Sequence, residues 1–88
     1  MKHAGAIALD TLADLLAAIR GRAISVAGVK EKQPGVFYRK GKAWLHFHED
    51  PAGLFADLRA GADWARFPVS TPAGRKRLIG AIDRCLKV

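Results

Sequence analysis

Val36-Phe37-Tyr38-Arg39-Lys40-Gly41-Lys42-Ala43-Trp44-Leu45-His46-Phe47-His48 decides how the rest of the chain is read. Two runs rich in aromatic and aliphatic residues flank Lys40-Gly41, and glycine accepts the positive φ that a two-residue hairpin turn requires. Pairing Arg39 with Lys42 sets Tyr38 opposite Ala43, Phe37 opposite Trp44 and Val36 opposite Leu45. Side chains alternate across a strand. One face then carries Val36, Tyr38, Ala43, Leu45 and Phe47. The other carries Phe37, Arg39, Lys42, Trp44, His46 and His48. A slip of one residue would exchange the two sets.

Working downstream, Glu49-Asp50-Pro51-Ala52-Gly53 reads as a turn, and Leu54–Arg59 as a strand with Leu54, Ala56 and Leu58 on one face. Residues 60–63 turn again. Trp64–Val69 is a shorter strand whose end or edge position is marked by Pro68. Upstream, Ile24–Val29 reads as the first strand, with Gly28 a bulge, and Lys30–Gly35 as a polar loop closed by Pro34-Gly35.

The ends of the chain read as helices. Leu12, Leu15, Leu16 and Ile19 recur at helical spacing within Leu9–Gly21, with Asp10 as the cap and Gly21 as the stop. Ser70-Thr71-Pro72 is a helix start, and Leu78, Ile79, Ile82, Cys85 and Leu86 form one apolar stripe to about Leu86. The expected fold class is α+β: one domain over residues 1–88, an N-terminal helix, an antiparallel β-meander of about four strands and a C-terminal helix. Both helices cover the aliphatic face of the sheet. The other face is left open and lined by Phe37, Arg39, Lys42, Trp44, His46, Phe55, Arg59, Trp64 and Arg66.

The formal net charge is +7 over 88 residues. Basic residues stand on both sides of an acidic middle, Glu49 to Asp63. A basic domain meets polyanions favourably. Aromatic rings interleaved with Arg and Lys are what a single-stranded nucleic-acid platform needs, since rings stack on bases and cations follow phosphates. The expected function is therefore a small basic binding module that contacts nucleic acid, an acidic protein or another polyanion. The expected anion-binding residues are Arg39, Lys42, Trp44 and Arg66 on the open face, and Arg75, Lys76 and Arg77 at the start of the last helix, where dipole and cations both attract an anion. The alternative is a homodimer or protein-interaction domain that buries Phe37, Trp44, Phe55 and Trp64.

No Gly-x-Ser-x-Gly elbow, P-loop or dinucleotide fingerprint is present, so catalysis is not expected, and neither is a cofactor. The single cysteine, Cys85, excludes an intrachain disulfide and reads as a core thiol. His46-Phe47-His48-Glu49-Asp50 places two imidazoles on one strand face beside carboxylates. With His3 assigned to a frayed terminus, the expected reading is a surface pair and no metal, a metal-dependent enzyme being the weakest alternative. There is no signal peptide and no apolar run of about 20 residues, so a cytoplasmic protein without membrane contact is expected. Val36–Trp44 also resembles the hairpin of small bacterial YjbR-like domains, and the basic start of the closing helix is similar to that of double-stranded RNA-binding domains. No function is carried over from either.

Overall fold

Two successive residues with positive φ, Lys40 (53°) and Gly41 (80°), close the central hairpin in the computed structural model, which describes residues 2–23, 26 and 28–87. This is the backbone of a type I′ turn, whose twist matches that of the flanking strands. The elements in chain order are β1 (Lys2–His3), α1 (Ala6–Thr11), α2 (Ala13–Ala23), β2 (Val29–Gln33), β3 (Val36–Arg39), β4 (Lys42–Asp50), β5 (Gly53–Ala60), β6 (Asp63–Pro68) and α3 (Pro72–Leu86). The sheet is an antiparallel meander ordered β2-β3-β4-β5-β6. Beyond the end of β3, β1 takes its place along β4, with Lys2 opposite Glu49 and His3 opposite His48.

The expected α+β architecture is present, with two corrections at the N-terminal side. The first sheet strand of the meander is Val29–Gln33, most of which has the sequence of a polar loop. Of the expected strand Ile24–Val29, residues 24, 25 and 27 lie outside the described residues. The N-terminal helix is two helices broken at Leu12, and it runs through Gly21 to Ala23. Asp10 lies inside α1, whose N-cap is Gly5. At the other end the expected cap holds: Thr71 Oγ1 accepts from Gly74 N, with Pro72 in the first helical turn.

The decisive correction lies in β4. Arg39 faces Lys42 and Tyr38 faces Ala43, as the turn dictates, but Phe37 then faces Leu45 and Val36 faces His46. Trp44 is the extra residue of a β-bulge. The bulge lets Trp44 and its neighbour Leu45 both enter the core, at 3% and 0% exposure. Burying an indole removes about 150–250 Å² from water, on the order of 4–6 kcal/mol. That outweighs the ladder hydrogen bond a bulge forfeits, about 0.5–1.5 kcal/mol. Phe37 follows onto the covered face, where it is also buried.

The core lies between this face and the helices. Leu12, Leu15, Leu16 and Ile19 from the N-terminal helices, with Leu78 and Ile82 from α3, pack on Phe37, Trp44, Leu45, Phe47, Ala56 and Leu58. Both helical stripes are those read from the sequence. Gly74 lets α3 dock, because a Cβ there would lie 1.7 Å from the Pro68 carbonyl oxygen. No helix among the described residues is long and apolar enough to cross a membrane.

Candidate functional site

Strand β4 positions different chemistry at its two ends. At the hairpin end, Arg39, Lys40, Lys42, Ala43, Trp44 and Arg59 line an open pocket of ≈ 340 Å³. None of these residues is acidic. Arg39 comes from the covered face: its Nη1 donates to the Cys85 carbonyl oxygen at 3.0 Å, where a cation complements the C-terminal end of α3. Its guanidinium carbon is 6.0 Å from the Trp44 ring centroid. Arg59 Nε donates to the Ala43 carbonyl oxygen at 2.8 Å, and the same guanidinium lies over the Trp64 ring at 4.5 Å, a cation–π contact. Arg59 thereby links the pocket to Trp64, which is 41% exposed.

Two buried donors among these residues, Arg39 Nε and Trp44 Nε1, have no hydrogen-bond partner among the described residues. A buried donor left unmet costs about 1–3 kcal/mol, more when charged.

At the far end of β4 the regular pleat holds, and His46 and His48 stand on the open face. His46 Nδ1 is 2.7 Å from His48 Nε2, and His48 Nε2 is 3.1 Å from Asp57 Oδ2. Asp57 is buried and accepts both arms of Arg66 from β6, Nε at 2.8 Å and Nη2 at 2.9 Å. The Arg66 hydrogen bond holds the Asp57 carboxyl below the usual carboxylate range, against the opposing effect of burial. Burial, and then the neighbouring His48, lowers His46 below the ordinary imidazole value. β1 brings His3 to the same place: its ring stacks on His46 at 5.5 Å and meets His48 edge-on at 5.1 Å. The Trp64 ring is 4.9 Å from His46. One ligand nitrogen from each of His3, His46 and His48 lies within 4.8 Å of the other two.

The residues expected to act together are therefore divided. Arg39, Lys42 and Trp44 do meet, but through the bulge and at the sheet end rather than across an open face. Arg66 is on the open face, with its charge paired to Asp57. At α3, Arg75 Nε donates to the Val69 carbonyl oxygen at 2.7 Å and so fastens the preceding loop. Lys76 and Arg77 are exposed and line a separate groove with Phe67 and Arg84. The four aromatics expected at an interface do not share an exposed surface. Phe37 and Trp44 belong to the core because of the bulge, Phe55 is half-buried, and only Trp64 is open.

Sequence reasoning missed Lys40, which reads only as a turn residue. His3 does not lie at a frayed terminus: it is paired in β1 opposite His48, through a two-residue strand too short to leave a pattern of its own. No family model, curated protein or solved structure matches the chain.

Proposed function

We propose that the chain is a small basic binding module that holds a phosphate-bearing polyanion, single-stranded nucleic acid, along the stripe from the hairpin pocket to Trp64. The observation that carries this reading is the open pocket at the hairpin end, lined by four cations, Arg39, Lys40, Lys42 and Arg59, and by no acidic residue. Phosphate oxygens supply the negative charge and the acceptors that such a group of cations favours. The exposed Trp64 ring, continuous with the pocket through Arg59, offers a face on which a base stacks, worth about 1–3 kcal/mol. An acidic peptide would match the charge but leave that ring unused. Lys76 and Arg77, at the start of α3, strengthen the long-range attraction of a +7 domain without lining this pocket.

Fluorescence anisotropy of a labelled, mixed-sequence single-stranded oligonucleotide, titrated across a salt series, tests the reading. Affinity should fall steeply as salt rises, with a log–log slope of about −0.7 per phosphate engaged. Replacing Lys40 by Gly, which its positive φ accepts, together with Lys42 by Ala, should make that slope shallower. Binding indifferent to salt, or a slope that the double substitution leaves unchanged, contradicts it.

A further inference from the structure

The imidazoles at the far end of β4 border the Trp64 end of the stripe assigned to polyanion binding, with the Trp64 ring 4.9 Å from His46, and their geometry points to a second site. We infer that His3, His46, His48 and Asp57 form a zinc-type divalent-metal site on the open sheet face.

Three features carry this. The first is ligand spacing. Zinc bonds imidazole nitrogen at about 2.0–2.1 Å, which separates the ligand atoms of a tetrahedral site by about 3.3 Å. His48 Nε2 stands 3.1 Å from Asp57 Oδ2 and 2.7 Å from His46 Nδ1, and the three histidine nitrogens all lie within 4.8 Å of one another. Small side-chain rotations bring the donors onto one ion.

The second is how the donors are held. His46 and His48 share a face because they are two residues apart on a regular stretch of β4. His3 is fixed opposite His48 by the β1–β4 pairing. The chain just beyond is tied by Ala4 N donating to the Phe47 carbonyl oxygen at 3.0 Å and by Gly5 N donating to the Glu49 carboxylate. Asp57 comes from the neighbouring strand β5, where it faces His46. Arg66 grips both carboxylate oxygens, yet each oxygen has two lone pairs, so one on Oδ2 is left for a metal. A ligating carboxylate anchored by its own hydrogen bonds is a regular feature of metal centres.

The third is what the cluster lacks without a metal. Two imidazole nitrogens 2.7 Å apart share at most one proton between them. The third ring, His3, presses against both others. A set of three imidazoles and one carboxylate suits zinc rather than magnesium or calcium, which take oxygen ligands.

The test is titration of the full chain with Zn²⁺, followed by calorimetry and by the imidazole ¹⁵N resonances. One Zn²⁺ per chain should bind at micromolar metal, move the resonances of all three histidines and raise the thermal midpoint, because a ligand of the folded state stabilises it. His3→Ala, His46→Ala and Asp57→Asn should each weaken binding at least about tenfold. His3 is exposed, so its variant keeps the core intact and its affinity reads the site alone. Zn²⁺ binding unchanged in His46→Ala, His46 and His48 resonances unmoved at saturating metal, or no binding at micromolar Zn²⁺ would each overturn the assignment.

Discussion

The two ends of β4 obey different rules. From His46 to Asp50 the strand is a regular pleat, and each side chain lies on the face that alternation assigns to it. From Lys42 to Leu45 it bulges, and the assignment fails. The far end collects imidazoles and carboxylates over an open sheet. The hairpin end collects cations around an indole that belongs to the core. Alternation can be followed along a strand only as far as the next bulge. The bulge forms where a large apolar side chain gains more from burial than the ladder loses.

The two tryptophans test this difference most severely. Trp44→Ala should destabilise the fold by about 3–5 kcal/mol, the cost of emptying a core aromatic site. Trp64→Ala should cost only about 0.5–1 kcal/mol, the worth of an exposed cation–π contact such as the one it makes with Arg59. Urea denaturation of both variants checks this, and equal costs would mean that the bulge does not separate the two rings. The ranking reverses for ligand. Trp64→Ala should lose about 1–3 kcal/mol of oligonucleotide affinity, the worth of one stacked base, as measured by anisotropy at low salt.

Smaller effects sharpen the picture at the hairpin end. Glu31 fixes β2 to α2: its carboxylate accepts from Arg20 Nε at 2.7 Å, from Arg20 Nη2 at 2.8 Å and from Gly35 N at 2.9 Å. The Arg20 hydrogen bond, against the opposing effect of burial, holds the Glu31 carboxyl below its ordinary value. A carboxyl depressed in the fold stabilises above its unfolded pKa, about 4.3, and loses that contribution as the pH falls through the lower folded value. Glu31→Gln should therefore cost about 0.5–1 kcal/mol at pH 7, the range of a largely exposed ion pair. The gap to the parent should close on acidification below about pH 4, as followed by denaturation at several pH values. The smallest effect is expected at Lys40. Its φ of 53° suits Gly, so Lys40→Gly should change stability by no more than about 0.5 kcal/mol. It should still reduce the salt slope of oligonucleotide binding by about one contact.

Much of the fold was legible because it rests on strong local signals. The Leu12–Leu15–Leu16–Ile19 and Leu78–Ile82 stripes, the Thr71-Pro72 start and the Lys40-Gly41 turn each answer to a local rule, and the structure follows each of them. β2 was not legible. Val29–Gln33 is an edge strand whose polar sequence reads as loop, and it is fixed by pairing with β3 and by the Glu31–Arg20 contact. The composition of the hairpin pocket was half visible. Arg39, Lys42 and Trp44 were named, but their meeting depends on a bulge set by burial across the whole core. His3 was invisible as a partner of His46 and His48, because only a long-range strand pairing brings it there.

The most direct test of the central claim is a backbone and side-chain NMR titration of the free protein with a short single-stranded oligonucleotide at low and high salt. Shifts centred on Lys40, Lys42, Arg59 and the Trp64 indole, and lost at high salt, are the predicted result. Shifts confined to Lys76, Arg77 and the rest of α3, or none at all at low salt, would contradict it.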